Sequence, residues 1–224
     1  MEFKALAVDI DGTITYEDRS LDLRAVEALR SLHVPVVIAT GNVLCFARAT
    51  STLVGTGGIV IGENGGVVEC RAVEYDTSHL KECEVAFDFL KKHLTLERLD
   101  PEYRKTEVGL RRNFDVEKAR ELLKGFPDIE IVDTHFAVHI KSRKINKGKG
   151  LKRVAELMGL DAKDFVAIGD SPNDIEMLRA SGFGVAVGNA HPELKEVADM
   201  VAKEKYGAGV EEAVGYLKGR GAIR

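Results

Sequence analysis

At 224 residues, 45% of them hydrophobic, the chain has material for one large domain or two modest ones around a packed core, which excludes a disordered protein. A formal net charge of -4 at pH 7, with no cluster of basic residues interleaved with aromatics, argues against nucleic acid as a partner. The apolar runs are too short to span a bilayer, and the first residues, which include Glu2, Asp9 and Asp11, lack a secretory pattern; a soluble cytoplasmic protein without a membrane partner is expected.

The stretch Ala5-Leu6-Ala7-Val8-Asp9-Ile10-Asp11-Gly12-Thr13 opens the chain's pattern. Residues 4–8 are too few for an amphipathic helix and run into a glycine turn, which predicts a buried strand of the parallel type. Side chains two apart leave a strand from one face, so Asp9 and Asp11 point together past its carboxyl edge, where open α/β sheets bind ligands. Two carboxylates there are unfavourable without a cation or a shared proton. A calcium loop does not fit, because its Gly and Glu positions are Ile14 and Ser20. On this stretch alone, an aspartate-rich turn weighs as much as a site.

Leu23, Val26, Leu29 and Leu32 predict a helix over 22–33, followed by an apolar strand over 34–39 that ends in Thr40-Gly41-Asn42. A second helix over 43–54 and a third strand over 58–62 lead into the turn Glu63-Asn64-Gly65-Gly66. Strands and helices in this alternation imply right-handed crossovers and a parallel sheet, with Thr40 on the same edge as Asp9. From Thr77 the rhythm changes. Val85, Ala86, Phe89 and Leu90 mark a helix, 103–114 reads as a strand, and Val116, Ala119 and Leu123 mark another helix closed by Gly125 and Pro127. Two strands, 129–132 and 136–141, flank a hairpin turn at Asp133-Thr134-His135. The parallel pattern then resumes. Asn146-Lys147-Gly148-Lys149-Gly150 sets a lysine in flexible glycine backbone ahead of an amphipathic helix marked by Leu151, Val154, Ala155 and Met158. A buried strand over 165–169 ends at Asp170, a short helix follows over 175–180, then a strand over 184–187 and a closing helix marked by Val210, Ala213, Val214 and Leu217.

The expected fold is therefore α/β: a Rossmann-like three-layer core with a parallel sheet, over 1–76 and 146–224, plus an inserted small α+β domain over 77–145. Cys45, Cys70 and Cys83 form no CxxC pair and suit reduced thiols better than zinc or disulfides. The absence of Gln and the 30% of charged residues hint at a heat-adapted source.

Gly169-Asp170-Ser171-Pro172-Asn173-Asp174 repeats the logic of the first strand, so Asp9, Asp11, Asp170 and Asp174 gather at one sheet edge. Oxygen donors of this kind suit a hard cation such as Mg²⁺. Thr40 offers a hydroxyl near main-chain NH groups, and Lys147 offers a cation that can hold a phosphoryl oxygen. Separately each is bland: Lys147 fits a solvated surface lysine, Thr40 a turn residue, Asp174 a helix cap. Their order along the chain is what is specific.

In these motifs, Asp9-Ile10-Asp11-Gly12-Thr13, Thr40-Gly41, Lys147 and Gly169 to Asp174, the chain resembles the haloacid dehalogenase-like phosphohydrolases along its whole length. The inserted segment resembles the cap of the Cof-like branch, and its size and element order are similar to those of the archaeal phosphoglycolate phosphatase group. That resemblance implies Asp9 as nucleophile, Asp11 as acid and then base, and Thr40, Gly41 and Lys147 around the phosphoryl oxygens. It also implies Mg²⁺ held by Asp9, the Asp11 main-chain carbonyl, Asp170 and Asp174, the last directly or through water. Asn173 is expected to orient Lys147 or the phosphate. Many relatives carry Arg after the Thr-Gly where this chain has Asn42, which leaves one phosphate or leaving-group contact unassigned. In the cap, Arg111, His139 and Lys141 are expected contacts to a substrate carboxylate, and an ordinary solvated sheet face accounts for them equally well. His135 and His191 read as turn or surface residues, and Ser171 lacks the G-x-S-x-G setting of a nucleophile.

The resemblance thus implies hydrolysis of a small phosphorylated metabolite, 2-phosphoglycolate first. A sugar-phosphate phosphatase, a phosphomutase and a non-catalytic phospho-acceptor module are the alternatives. Monomer and homodimer stay open.

Overall fold

A computed structural model describes residues 2–134 and 136–224. His135, the last residue of the predicted hairpin turn, lies outside the described residues. The chain opens with β1 (Ala5–Asp9), α1 (Leu23–Arg30), β2 (Val36–Ala39), α2 (Leu44–Val54) and β3 (Val60–Gly62). A hairpin, β4 (Val67–Cys70) and β5 (Ala72–Tyr75), follows. The second part holds α3 (Leu80–Leu90), β6 (Val108–Arg111), α4 (Val116–Leu122), β7 (Ile129–Asp133) and β8 (Ala137–Ser142). The last part holds α5 (Lys147–Met158), β9 (Phe165–Gly169), α6 (Ile175–Ala180), β10 (Phe183–Ala186), α7 (Pro192–Val197), β11 (Met200–Val201) and α8 (Tyr206–Gly219).

Eight strands form one sheet in the order β11-β10-β9-β1-β2-β3-β4-β5, parallel from β11 to β3 and antiparallel across the last two pairs. β1 sits between β9 and β2, with Val8 opposite Ile168 and Asp9 opposite Ala39. The side chains that follow these three strands therefore emerge together at one edge. β1, β2 and β9 are buried on both faces, as their unbroken apolar sequences require, and α1 packs on α8 while α5 packs on α6 to complete the α/β core.

The inserted cap is an antiparallel sheet in the order β6-β8-β7 with its own core of Cys83, Phe87, Leu90, Leu110, Val138 and Ile140 among others. Several details depart from the sequence reading. The strand expected over 103–114 is only β6, because residues 100–104 form turns. The buried face of α3 is Cys83, Ala86, Phe87 and Leu90, while Val85 is 53% exposed, so the apolar stripe lies one position off the predicted one. The β4–β5 hairpin went unread: its turn is a single residue, Arg71, held at φ 69°, with no glycine or proline to announce it.

Candidate active site

Asp9 ends β1, and the ammonium of Lys147 lies 2.6 Å from its Oδ1 and 2.6 Å from Oδ1 of Asp174. Lys147 is 0% exposed. It is the first residue of α5, not part of a flexible approach to it: Asn146 caps the helix by accepting from Lys149 N at 2.9 Å. The neighbouring glycines serve close packing, since a Cβ at Gly148 would stand 2.1 Å from the Glu176 carbonyl oxygen and one at Gly150 2.6 Å from Ile61 Cγ2. Asp174 is fixed in turn by the Ser171-Pro172 helix start, where its Oδ2 accepts from Asp170 N and Ser171 N at 3.2 Å each. Gly12, with φ 84°, lets the first loop pass so close to Asp170 that a Cβ would meet Oδ2 at 2.4 Å.

Asp9, Asp170 and Asp174 each offer a carboxylate oxygen, all within 4.8 Å of one another. Burial first, then the neighbouring acids, push the Asp9 carboxyl well above the usual range against the pull of Lys147. Burial and Asp174 raise Asp170 to about 7. Burial alone would lower Lys147, but Asp174 and Asp9 outweigh it and keep the ammonium charged. Two buried acids and the half-buried Asp170 outnumber the one buried cation in an oxygen-only donor set, which fits a hard divalent ion. The side chain of Asp11 is not in that set. Its Oδ1 accepts from Arg19 Nε at 2.9 Å and its Oδ2 from Asn42 Nδ2 at 2.6 Å.

Asn42 thus does have a role in this geometry: besides Asp11 it donates to Thr40 Oγ1 at 3.0 Å and accepts from Arg19 Nη2 at 3.3 Å. Thr40 is fully buried and its hydroxyl oxygen also accepts from Asn42 N at 3.0 Å, so it braces the loop rather than lining the cavity in front of Asp9. Gly41 and Asn42 do line it. Asn173 lines it too, but donates to Asn64 Oδ1 at 3.0 Å and accepts from Ser171 Oγ instead of holding Lys147.

The cavity, about 470 Å³, lies between the core and the cap. From the cap it is walled by Phe136 and His139, among others, and at its rim by the exposed His191, which accepts from Glu193 N in the first turn of α7. The three cap residues expected to reach a substrate separate here. His139 is buried on the wall, its Nδ1 2.6 Å from Glu107 Oε1. Lys141 is drawn off the cavity to Glu130 and to the carbonyls of Ser142 and Ile145, at 3.2 and 2.6 Å, because those acceptors crowd its end of β8. Arg111 is exposed at the end of β6 and pairs with Glu97 at 2.6 Å.

Behind His139, Glu107 also binds Arg104 and accepts from Asn64 Nδ2 at 3.0 Å. Burial alone would raise Glu107, but His139, Arg104 and Asn64 outweigh it and hold the carboxyl at about 2. Arg104 Nη1 donates to the Gly41 carbonyl at 3.1 Å, and Glu63 accepts from Lys105 N and Thr106 N, so this polar cluster joins cap to core. Sequence reasoning passed over Arg19, Glu63, Asn64, Arg104 and Glu107. The turn Glu63-Asn64 carried one usable signal, an Asn at a position that adopts φ 55°.

A family model described as haloacid dehalogenase-like hydrolase matches residues 6–107 and 112–214. A protein of Methanosarcina mazei named phosphoglycolate phosphatase is 56% identical over 229 aligned positions, covering 100% of both chains. Another of that name, from Archaeoglobus fulgidus, is 50% identical and covers 96% of both. A crystal structure of a Thermoplasma acidophilum protein superposes with a TM-score of 0.87 at 23% identity, covering 97% of this chain and 99% of that one. Among the described residues no helix is long and apolar enough to cross a membrane.

Proposed function

Because the chain belongs to the haloacid dehalogenase-like hydrolase family, we propose that it is a Mg²⁺-dependent phosphatase acting through an aspartyl phosphate on Asp9, with 2-phosphoglycolate as substrate. The observation that carries the reading is the buried trio Asp9, Lys147 and Asp174 beside Asp170, opening on a cavity shared with the cap. A carboxylate oxygen of Asp9 attacks phosphorus as the ester P–O bond breaks, and Asp11 gives the leaving oxygen its proton. Water then attacks the same phosphorus, Asp11 takes its proton, and the Asp9–phosphorus bond breaks to release phosphate. Lys147 sits where it steadies Asp9 and draws on a phosphoryl oxygen, while Asn42 fixes the plane of Asp11. Bound among Asp9, Asp170 and Asp174, Mg²⁺ supplies the positive charge that offsets these acids and the phosphoryl group.

The identity of the substrate draws support from the full-length relatives of that name. A sugar-phosphate phosphatase is the second reading, favoured by the cavity of about 470 Å³, which has room for a phosphorylated sugar. The test is phosphate release, with Mg²⁺ and with a chelator, from 2-phosphoglycolate, sugar phosphates and an aryl phosphate. Mg²⁺-dependent preference for 2-phosphoglycolate is expected. Preference for a sugar phosphate would move the substrate, transfer of the phosphoryl group to a second sugar hydroxyl would indicate a mutase, and a long-lived phosphoprotein without release would refute catalysis.

A further inference from the structure

The cavity wall carries five carboxylates, Asp9, Asp11, Glu17, Asp133 and Asp170, and a single Arg or Lys among the described residues, Arg19. Lys147 lies wholly buried behind Asp9 and is held by two acids. On this wall, besides the imidazoles of His139 and His191, Arg19 is the one cation among the described residues that a second anionic group of a substrate would meet.

Arg19 is built for such a contact. It stands in a tight loop after β1, where Tyr16 N donates to Ser20 O and Arg19 N to Tyr16 O, and its φ is 67°. A non-glycine residue in that left-handed region carries backbone strain, and the loop holds the side chain over the cavity despite it. The guanidinium carbon lies 5.1 Å from the Phe46 ring centroid and 5.4 Å from that of Phe136, so the plane is clamped between an aromatic of α2 and one of the cap. Its Nε and Nη2 serve Asp11 and Asn42, while Nη1 makes no hydrogen bond to a described residue and the side chain is 39% exposed. The Phe136 half of the clamp belongs to the cap, so the full sandwich exists only with cap and core together.

We propose that Arg19 is a specificity-determining residue: its guanidinium receives the carboxylate of the substrate, and the Phe46–Phe136 clamp sets its plane for that bond only when the cap is seated. This rests on the reading of the protein as a phosphatase of a small phosphorylated acid. A planar guanidinium suits a carboxylate better than an ammonium does, because it can donate two parallel hydrogen bonds.

The experiment compares kcat and KM for wild type, Arg19→Ala and Arg19→Lys on two matched pairs, each an ester with a carboxylate and one with an alcohol in its place. The pairs are 2-phosphoglycolate with 2-hydroxyethyl phosphate, and 3-phosphoglycerate with glycerol 3-phosphate. Alanine adopts the same strained φ no more easily than arginine, so the change reads the side chain. The carboxylate-to-alcohol ratio of kcat/KM should fall roughly 10- to 100-fold in Arg19→Ala, chiefly through KM, with Arg19→Lys between. An equal loss on both members of each pair would mean that Arg19 acts only through Asp11 and overturns the proposal, as would a ratio unchanged from wild type. A wild-type enzyme that prefers sugar phosphates to 2-phosphoglycolate defeats the substrate reading, yet the matched ratios still decide Arg19. A wild type with no carboxylate preference in either pair overturns Arg19 as well.

Discussion

Replacing Lys147 with methionine removes the ammonium between Asp9 and Asp174 while keeping most of the side-chain volume. Both contacts are 2.6 Å and all three groups are buried, so the variant leaves two acids facing one another beside Asp170 with no protein cation. Removing one partner of a buried ion pair typically costs about 3–5 kcal/mol. At about 2–4 °C of Tm per kcal/mol for a chain of this length, the expected drop is roughly 6–20 °C. The loss depends on pH. Burial and neighbouring acids already raise the Asp9 carboxyl, and Lys147 is the influence that pulls it down, so the variant raises it further. A carboxyl raised in the folded state supports the fold below its unfolded pKa and ceases to as pH climbs through the folded value. The deficit should therefore be larger at about pH 8 than at about pH 5. Thermal and urea unfolding in a chelator, at both pH values, measure it. A variant within about 2 °C of wild type at the higher pH, or a deficit equal at both, would refute the view that Lys147 neutralises the acids.

Asp9→Asn should abolish phosphate release and leave the far-UV spectrum intact; residual release from a purified variant would remove Asp9 from the nucleophile's place. With a chelator present, the wild type should lose stability relative to Asp170→Asn as pH rises from about 4 to about 7, because the folded state keeps a proton on Asp170, at about 7, that the unfolded chain has given up. Adding Mg²⁺, which favours the ionised form, should flatten that difference, and urea midpoints that diverge in the opposite direction would sink the assignment. Glu107, held at about 2, supports the fold above the usual carboxyl range and stops doing so as pH falls toward 2. Glu107→Gln should thus be less stable than wild type by about 3 kcal/mol near pH 7 and less sensitive to acid below about pH 4.5; equal acid limbs for the two proteins would contradict this.

The parallel core was legible because its strands are apolar runs that end in chemistry: Asp9 at the end of β1, Thr40 after β2 and Asp170 after β9 fall at one edge by topology alone. What sequence order cannot carry is the direction of a side chain at the end of its element. Thr40 and Gly41 are adjacent, yet one braces a loop and the other walls the cavity. His139 and Lys141 leave β8 on one face as the alternation predicts, but Lys141 finds Glu130 and two carbonyls before it can reach the site. Phe136, the first residue of the strand read over 136–141, lies before β8 begins and turns to Arg19 instead of the cap core. Arg19 itself was invisible for a similar reason: it belongs to no periodic element, and its place depends on a loop conformation with φ 67° that arginine does not advertise.

The way the cap is tied to the core follows from the same chemistry. An apolar seam between the two hydrophobic clusters would fuse them into one body, because burial of apolar area holds whatever the relative orientation. Here the junction includes Glu63, Asn64, Arg104, Glu107 and His139, whose hydrogen bonds are directional and lost together when either side shifts. One member, His139, is also a wall of the cavity, and Asn64 reaches Asn173 on the other wall. A ligand that engages His139 or Asn173 therefore acts on the groups that set the cap's seat, while Phe136 brings the cap's far side onto Arg19 beside Asp11. Cap position and the arrangement of the acid–base pair are thereby read by the same few residues, which is the physical basis for expecting the matched-ester ratios of Arg19→Ala and Phe136→Ala to move in the same direction.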